Sequence, residues 1–169
     1  GGTIDFTAGY NVGTGTTFDG AGANTITGGT VTLNGTVTAS NLQLSAGILT
    51  GTATIEGAGF QWTGGSISGS STTTIGTSGV MTINGATTLS YASHVLANSG
   101  IINWQAGALV GNASSITNSG VWNDSASATQ SSTPNPSAFS NAAGGTYNKT
   151  AGTSTFTNAF NNSGTVHAS

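Results

Sequence analysis

The sequence predicts an all-β protein, a parallel β-helix of about eight coils, each of roughly 20 residues and three short strands. Three observations predict it: a segment that repeats along the whole chain, small residues recurring at two fixed places in each copy, and apolar–polar alternation between them. Thr, Asn and Gly suppress helix, and no 3.6-residue period of apolar positions appears. The 169 residues are read as one solenoid domain spanning 1–169.

The first strand of each coil is the clearest part of the repeat. Leu42 to Leu49 (LQLSAGIL), Phe60 to Ile67 (FQWTGGSI) and Ile102 to Leu109 (INWQAGAL) align without gaps. Looser copies start at Ile4, Asn24, Met81, Trp122 and Tyr147, and Val166 opens one more. Alternation makes Ile4/Phe6, Ile26, Leu42/Leu44, Phe60/Trp62, Met81/Ile83 and Ile102/Trp104 an inward column. Asp5, Thr25, Gln43, Gln61, Thr82, Asn103, Asn123, Asn148 and His167 then point outward.

Corners come next. Two positions before most starts stands a glycine: Gly2, Gly22, Gly79, Gly100, Gly120, Gly145 and Gly164. A small pair follows the first strand, as in Ala46-Gly47, Gly64-Gly65 and Ala106-Gly107. Glycine is expected at both corners because it reaches positive φ without steric cost. Asn34-Gly35 and Asn84-Gly85 fall at corner positions and are read as solenoid bends rather than hairpins.

The second strand is marked by Val31, Leu49, Ile67, Leu89 and Leu109, and the third by Phe18, Val37, Ile55, Ile75, Leu96, Ile116, Phe139 and Phe160. One step of the repeat is long. The polar segment 125–137, which holds both prolines, is expected to be a loop inserted in a single coil.

Composition restricts function. Only 3% of residues are charged and the net charge is −3. Without arginine and with one lysine, no basic patch forms, which excludes nucleic acid and anionic membrane surfaces as partners. No apolar run is long enough for a transmembrane helix. No basic n-region opens the chain, so any signal peptide is expected to be gone already. The absence of cysteine removes disulfides, thiol catalysis and Cys-ligated metal together, and it fits a secreted protein without oxidative staples.

Catalysis lacks an inventory. Asp5, Asp19, Glu56 and Asp124 are scattered over distant coils, and a polysaccharide hydrolase needs two converging carboxylates. The expectation is a non-enzyme with no catalytic, cofactor-binding or metal-binding residues and no cofactor. His94 and His167 lie far apart and have no acidic or thiol partner at ligand spacing. Trp62, Trp104 and Trp122 are expected to fill the core, the alternative being an exposed platform for sugars. Asp124 and Lys149 share the inward column of Trp104 in successive coils. Either they pair across the rung, or the register slips around 125–137 and both face water. With so few titrating groups, stability is expected to vary little between roughly pH 5 and 9.

Two surface features remain. Asn-X-Ser/Thr occurs at Asn34, Asn112, Asn123, Asn148 and Asn161, about as often as the composition produces by chance. Thr-X-Thr occurs at Thr36/Thr38, Thr52/Thr54, Thr72/Thr74 and Thr155/Thr157. Such ladders resemble the face of ice-binding solenoids, although 91–94 and 112–115 interrupt them.

The run Asn98 to Leu109 (NSGIINWQAGAL), with Ile116 to Asn123 and Phe160 to His167, resembles the repeats of large secreted bacterial surface proteins. Those are the filamentous-haemagglutinin-type and autotransporter-passenger β-helices. The resemblance implies a right-handed β-helix exported to the cell surface, with adhesive or scaffolding roles, and it transfers no catalytic residue. The chain starts beside a corner glycine and stops inside a new copy. It is therefore expected to be a segment of a longer adhesin, or to stack end to end into a fibre. Host-surface or glycan contacts are the further partners expected.

Overall fold

The computed structural model describes residues 1–85, 89–133 and 135–169, with the backbone alone at Leu89 and Ser132. It is all-β: parallel strands stack into a solenoid of about eight turns with about 21 residues per turn. Ala86, Pro134 and the side chain of Leu89, all used in the repeat reading, lie outside the described residues.

The first face is a sheet of nine parallel strands running from Thr3–Phe6 to Thr165–Ala168. Its register reproduces the repeat rung by rung: Ile4 pairs with Asn24, Phe60 with Met81, Met81 with Ile102, Ile102 with Trp122, Trp122 with Tyr147, and Tyr147 with Val166. The second and third faces form one larger sheet. They join because strands Ser66–Ile75 and Leu89–Asn98 continue around the corner between them, with a register shift between Ser68 and Ser71. β-Branched and hydroxyl residues suit these half-buried pleats, and each turn adds one more ladder of backbone bonds.

The three inner surfaces meet in one core. Trp62, Trp104, Trp122, Phe60, Phe139 and Tyr91 are among its fully buried side chains. Burial of each contributes about 1.5–3 kcal/mol. Aromatic rings continue the stack from coil to coil, with Trp104 and Trp122 centroids 6.4 Å apart and Trp122 and Phe139 5.0 Å apart. The inward column is open at the two end coils, where Val166 is 47% exposed. Ile4 is 59% exposed because no coil lies on its open side.

The two glycine corners differ in cause. Gly47, Gly65 and Gly107, in the small pairs, do have positive φ. Gly100 and Gly120, before the first face, do not. They are glycine because an added Cβ would run into the carbonyl of the coil beneath, Gly76 O and Gly100 O respectively.

The segment 125–137 is not wholly a loop. Thr129–Ser132 is a second-face strand paired with Leu109–Asn112 and with Thr155–Phe156. A polar side chain concealed it: Gln130 stands in the column of Leu109 and Phe156, fully buried, and its Nε2 donates to the Tyr91 hydroxyl at 2.8 Å. After this strand the chain makes its excursion. There Asn135 Nδ2 donates to Asn112 Oδ1 at 2.9 Å, and Ser137 and Ser114 hydroxyls lie 3.0 Å apart.

Candidate functional site

Three places concentrate polar chemistry: an internal ion pair, a histidine under a groove, and a buried asparagine ladder.

Asp124 and Lys149 are register partners on adjacent strands of the first face. Their alternation turns both inward, and Lys149 Nζ lies 2.9 Å from Asp124 Oδ1. Of the two readings left open by the sequence, the cross-rung pair is the one formed. The Asp124 side chain is fully buried and that of Lys149 is 16% exposed. The carboxylate also accepts from the Ala126 N–H at 2.9 Å and from the Tyr147 hydroxyl. The ammonium has two further acceptors, Ala126 O and Ser154 Oγ. Burial raises the Tyr147 hydroxyl pKa well above its ordinary value, and its hydrogen bond to Asp124 and the carboxylate charge add to the shift. Three donors on the carboxylate and three acceptors on the ammonium describe a satisfied structural tie, with no reactive lone pair left exposed.

His94 faces inward and is 1% exposed. Its Nδ1 lies 3.1 Å from the Gly69 carbonyl, an acceptor only, so Nδ1 carries the proton. Nε2 in turn accepts from the Thr73 N–H at 3.0 Å. Burial lowers the His94 pKa, and the Gly69 hydrogen bond partly opposes that shift. Ser71 Oγ sits 3.2 Å from Nδ1. A nucleophilic serine needs an accepting nitrogen beside it, and here that nitrogen is the donor. The arrangement holds the corner together; it does not activate Ser71.

Above His94 opens a groove of about 430 Å³ lined by Ser70, Ser93 and Ser114 among others. It follows the corner where the second and third faces merge. Ser93 and Ala113, with φ of 51° and 50°, are the non-glycine residues of positive φ in the described chain.

The asparagine ladder lies on the third face, where apolar alternation does not announce it. The inward column Val37–Ile55–Ile75 continues not with an apolar residue but with Asn98, Asn118, Asn141 and Asn162. Asn98 Nδ2 donates to Asn118 Oδ1 at 2.7 Å, Asn118 to Asn141 at 2.8 Å, and Asn141 to Asn162 at 2.8 Å. Each of these three amides also bonds the carbonyl that opens the strand one coil ahead: Val121 O, Thr146 O and Thr165 O. The signal was in view, because Asn-Ser-Gly recurs at 98–100, 118–120 and 162–164.

Two of the other carboxylates also tie coils together. Asp5 accepts from the Thr27 hydroxyl, and Glu56 Oε2 accepts from Ser78 N–H at 2.9 Å and Ser78 Oγ at 2.6 Å. Among the described residues no group of three or more His, Cys, Asp or Glu is placed to hold a metal ion. No helix among them is long and apolar enough to cross a membrane. Trp62, Trp104 and Trp122 are core residues rather than a sugar platform.

Of the Thr-X-Thr pairs, Thr36, Thr54 and Thr74 stack as direct partners in one column. Thr38 instead meets Glu56, and Thr155 belongs to the second face. Of the Asn-X-Ser/Thr positions, Asn34 and Asn161 are exposed, Asn112 is half-buried, and Asn123 and Asn148 are tied into an outward amide ladder with Asn103. At the ends, Ile4 and Tyr10 in the first coil and Val166 in the last strand are the large apolar side chains left open. No protein-family model, curated protein or solved structure matches the chain.

Proposed function

We propose that this chain is a non-enzymatic, extracellular structural element: a stiff β-solenoid rod of the kind found in bacterial surface adhesins, its end faces covered by further coils. Those coils belong to the same polypeptide or to another copy stacked end to end. The observation that carries the reading is the first face, nine parallel strands paired from coil to coil with one register shift, between Ile83 and Asn84. Such a stack resists bending because each coil is bonded to both neighbours over three faces. The inventory of side chains supports a mechanical role, since the asparagine ladder, Asp124 and His94 all bond from one coil to the next. Uncharged Thr, Ser and Asn surfaces offer weak multivalent contacts to a host surface or glycan.

Electron microscopy with light scattering across concentration tests this. Rods about 40 Å long, from the strand spacing, or strings of them, support it. Irregular particles, or turnover of polysaccharide by the purified chain, refute it. One observation favours a second reading. The Thr36–Thr54–Thr74 column is a short hydroxyl ladder of the type an ice-binding face needs, and thermal hysteresis in the purified protein would establish it.

A further inference from the structure

The first face is a sheet of its own, nine parallel strands with one register shift, between Ile83 and Asn84. In its outward column, no residue from Thr25 to Asn148 carries a charge, while Asp5 and His167 stand at the two ends. Part of the column is already fixed in place: Asn123 Nδ2 donates to Asn103 Oδ1 and Asn148 Nδ2 to Asn123 Oδ1, both at 3.0 Å. Asn123 and Asn148 each use one amide N–H along the ladder, which leaves the second for a partner. Beside the amides runs an outward apolar stripe, Val80–Ile101–Val121, in direct register. Ile101 at its centre is 38% exposed, and the other large apolar residues this open are on the second face or in the end coils.

We propose that this face is a lateral docking surface for the same face of a second copy, the two rods running antiparallel. A partner must present groups at the strand repeat of ~4.8 Å over the whole length, or it falls out of step within a few rungs. Another copy of this face does so by construction.

Placing a two-fold axis in the interface at Thr82, on the fifth of the nine strands, superposes column on column. Asp5 then faces His167 of the second copy at both ends of the pair. Gln61 faces Asn103, and Ile101 faces Gly59, a side chain meeting a position without one. Nine strands of about four residues give a face of roughly 40 by 13 Å, about 1,000 Å² buried in total. That area suits weak, reversible pairing. The inference rests on the rod reading above, but it concerns width where that reading concerns length.

The test uses the position on the axis, where each residue meets its own counterpart. In sedimentation velocity and electron microscopy, the wild-type chain is expected to show rods that double in width at constant length as concentration rises. Thr82→Lys and Thr82→Glu should each weaken that pairing about tenfold or more, by self-repulsion. An equal mixture of the two should restore it, which also shows that both variants fold. Thr74→Lys, on the third face, should pair like wild type.

Several results would overturn the proposal: wild-type rods of single width at every concentration, no restoration on mixing, or equal loss from Thr74→Lys. Ile101-dependent binding of a polysaccharide by a chain that stays single would assign the face to a glycan instead. Single rods of the expected length would overturn the pairing alone, whereas absence of rods would overturn the rod reading as well.

Discussion

Asp124 has no access to water, yet it carries a negative charge into a core built of aromatic rings. Desolvating both members of such a pair costs several kcal/mol, and the Lys149 ammonium offsets this only while both partners are present. Lys149→Met should therefore destabilise the protein by about 3–5 kcal/mol in denaturant unfolding, by leaving a buried carboxylate unpaired. Adding Asp124→Asn should recover most of the loss, since the amide oxygen still accepts from the Ala126 N–H while the new NH2 donates to the Tyr147 hydroxyl oxygen. A single variant as stable as wild type would mean the pair is solvated.

His94 changes the expected pH profile. Its folded pKa lies below the unfolded value of about 6.5, so the unfolded chain protonates first as the pH falls. Its contribution is whole above that value and is lost as pH falls towards the folded pKa. Tyr91 and Tyr147 act at the other end. Their pKa values are raised, so the unfolded chain ionises first and stability is lost as pH rises past about 10. The flat profile drawn from composition is thus narrowed on its acid side. Thermal melts should hold steady from about pH 7 to 9 and fall from about pH 6.5 to 5, and His94→Gln should remove that acid slope at some overall cost.

At the level of strands and corners, glycine and asparagine hold the coils at their spacing. Gly120→Ala should cost a few kcal/mol, because the new Cβ meets the Gly100 carbonyl of the adjacent coil. Gly13→Ala meets nothing within 4 Å and has no positive φ, so it should be neutral or stabilise by about 0.4–1 kcal/mol. Asn118→Ala removes a fully buried amide bonded to Asn98, Asn141 and Thr146, and should cost about 3 kcal/mol. Asn123→Ala, half-buried in the outward ladder, should cost under about 1 kcal/mol; equal losses from the two would deny the inner ladder its role.

These positions also show what was legible in the residues. Alternation exposes a strand wherever its inward positions are apolar, and so the first face could be read rung by rung from Ile4 to Val166. It is silent where a polar side chain points inward and finds a partner one or two coils' worth of sequence away. Gln130 reaches Tyr91 across 39 residues, and Asn118 reaches Asn141 across 23. The Gln130–Tyr91 pairing has no local signature, and the asparagine ladder shows only as the recurring Asn-Ser-Gly. His94 was hidden in the same way, its partners Gly69 and Thr73 lying one coil back.

A stack in which each coil touches only its neighbours has no single core to lose, so its stability is distributed along the axis. Interior coils are bonded on both sides, whereas Thr3–Phe6 and Thr165–Ala168 are paired on one side only. The packing grades in the same direction. All four residues of the last strand are exposed, and Ile4 and Tyr10 are open in the first coil, while Trp62, Trp104 and Trp122 seal the middle. Native-state hydrogen exchange should therefore rise from both ends towards the centre in protection. The slowest amides should lie in Phe60–Trp62, Val80–Asn84, Ile101–Ala106 and Val121–Asp124. The fastest strand amides should lie in Thr3–Phe6 and Thr165–Ala168. Uniform protection along the rod would mean that the molecule opens as one unit, which nearest-neighbour stacking does not allow unless the end strands are covered. Raising the concentration separates the two cases: if copies meet end to end, the terminal strands gain protection while the central ones stay unchanged.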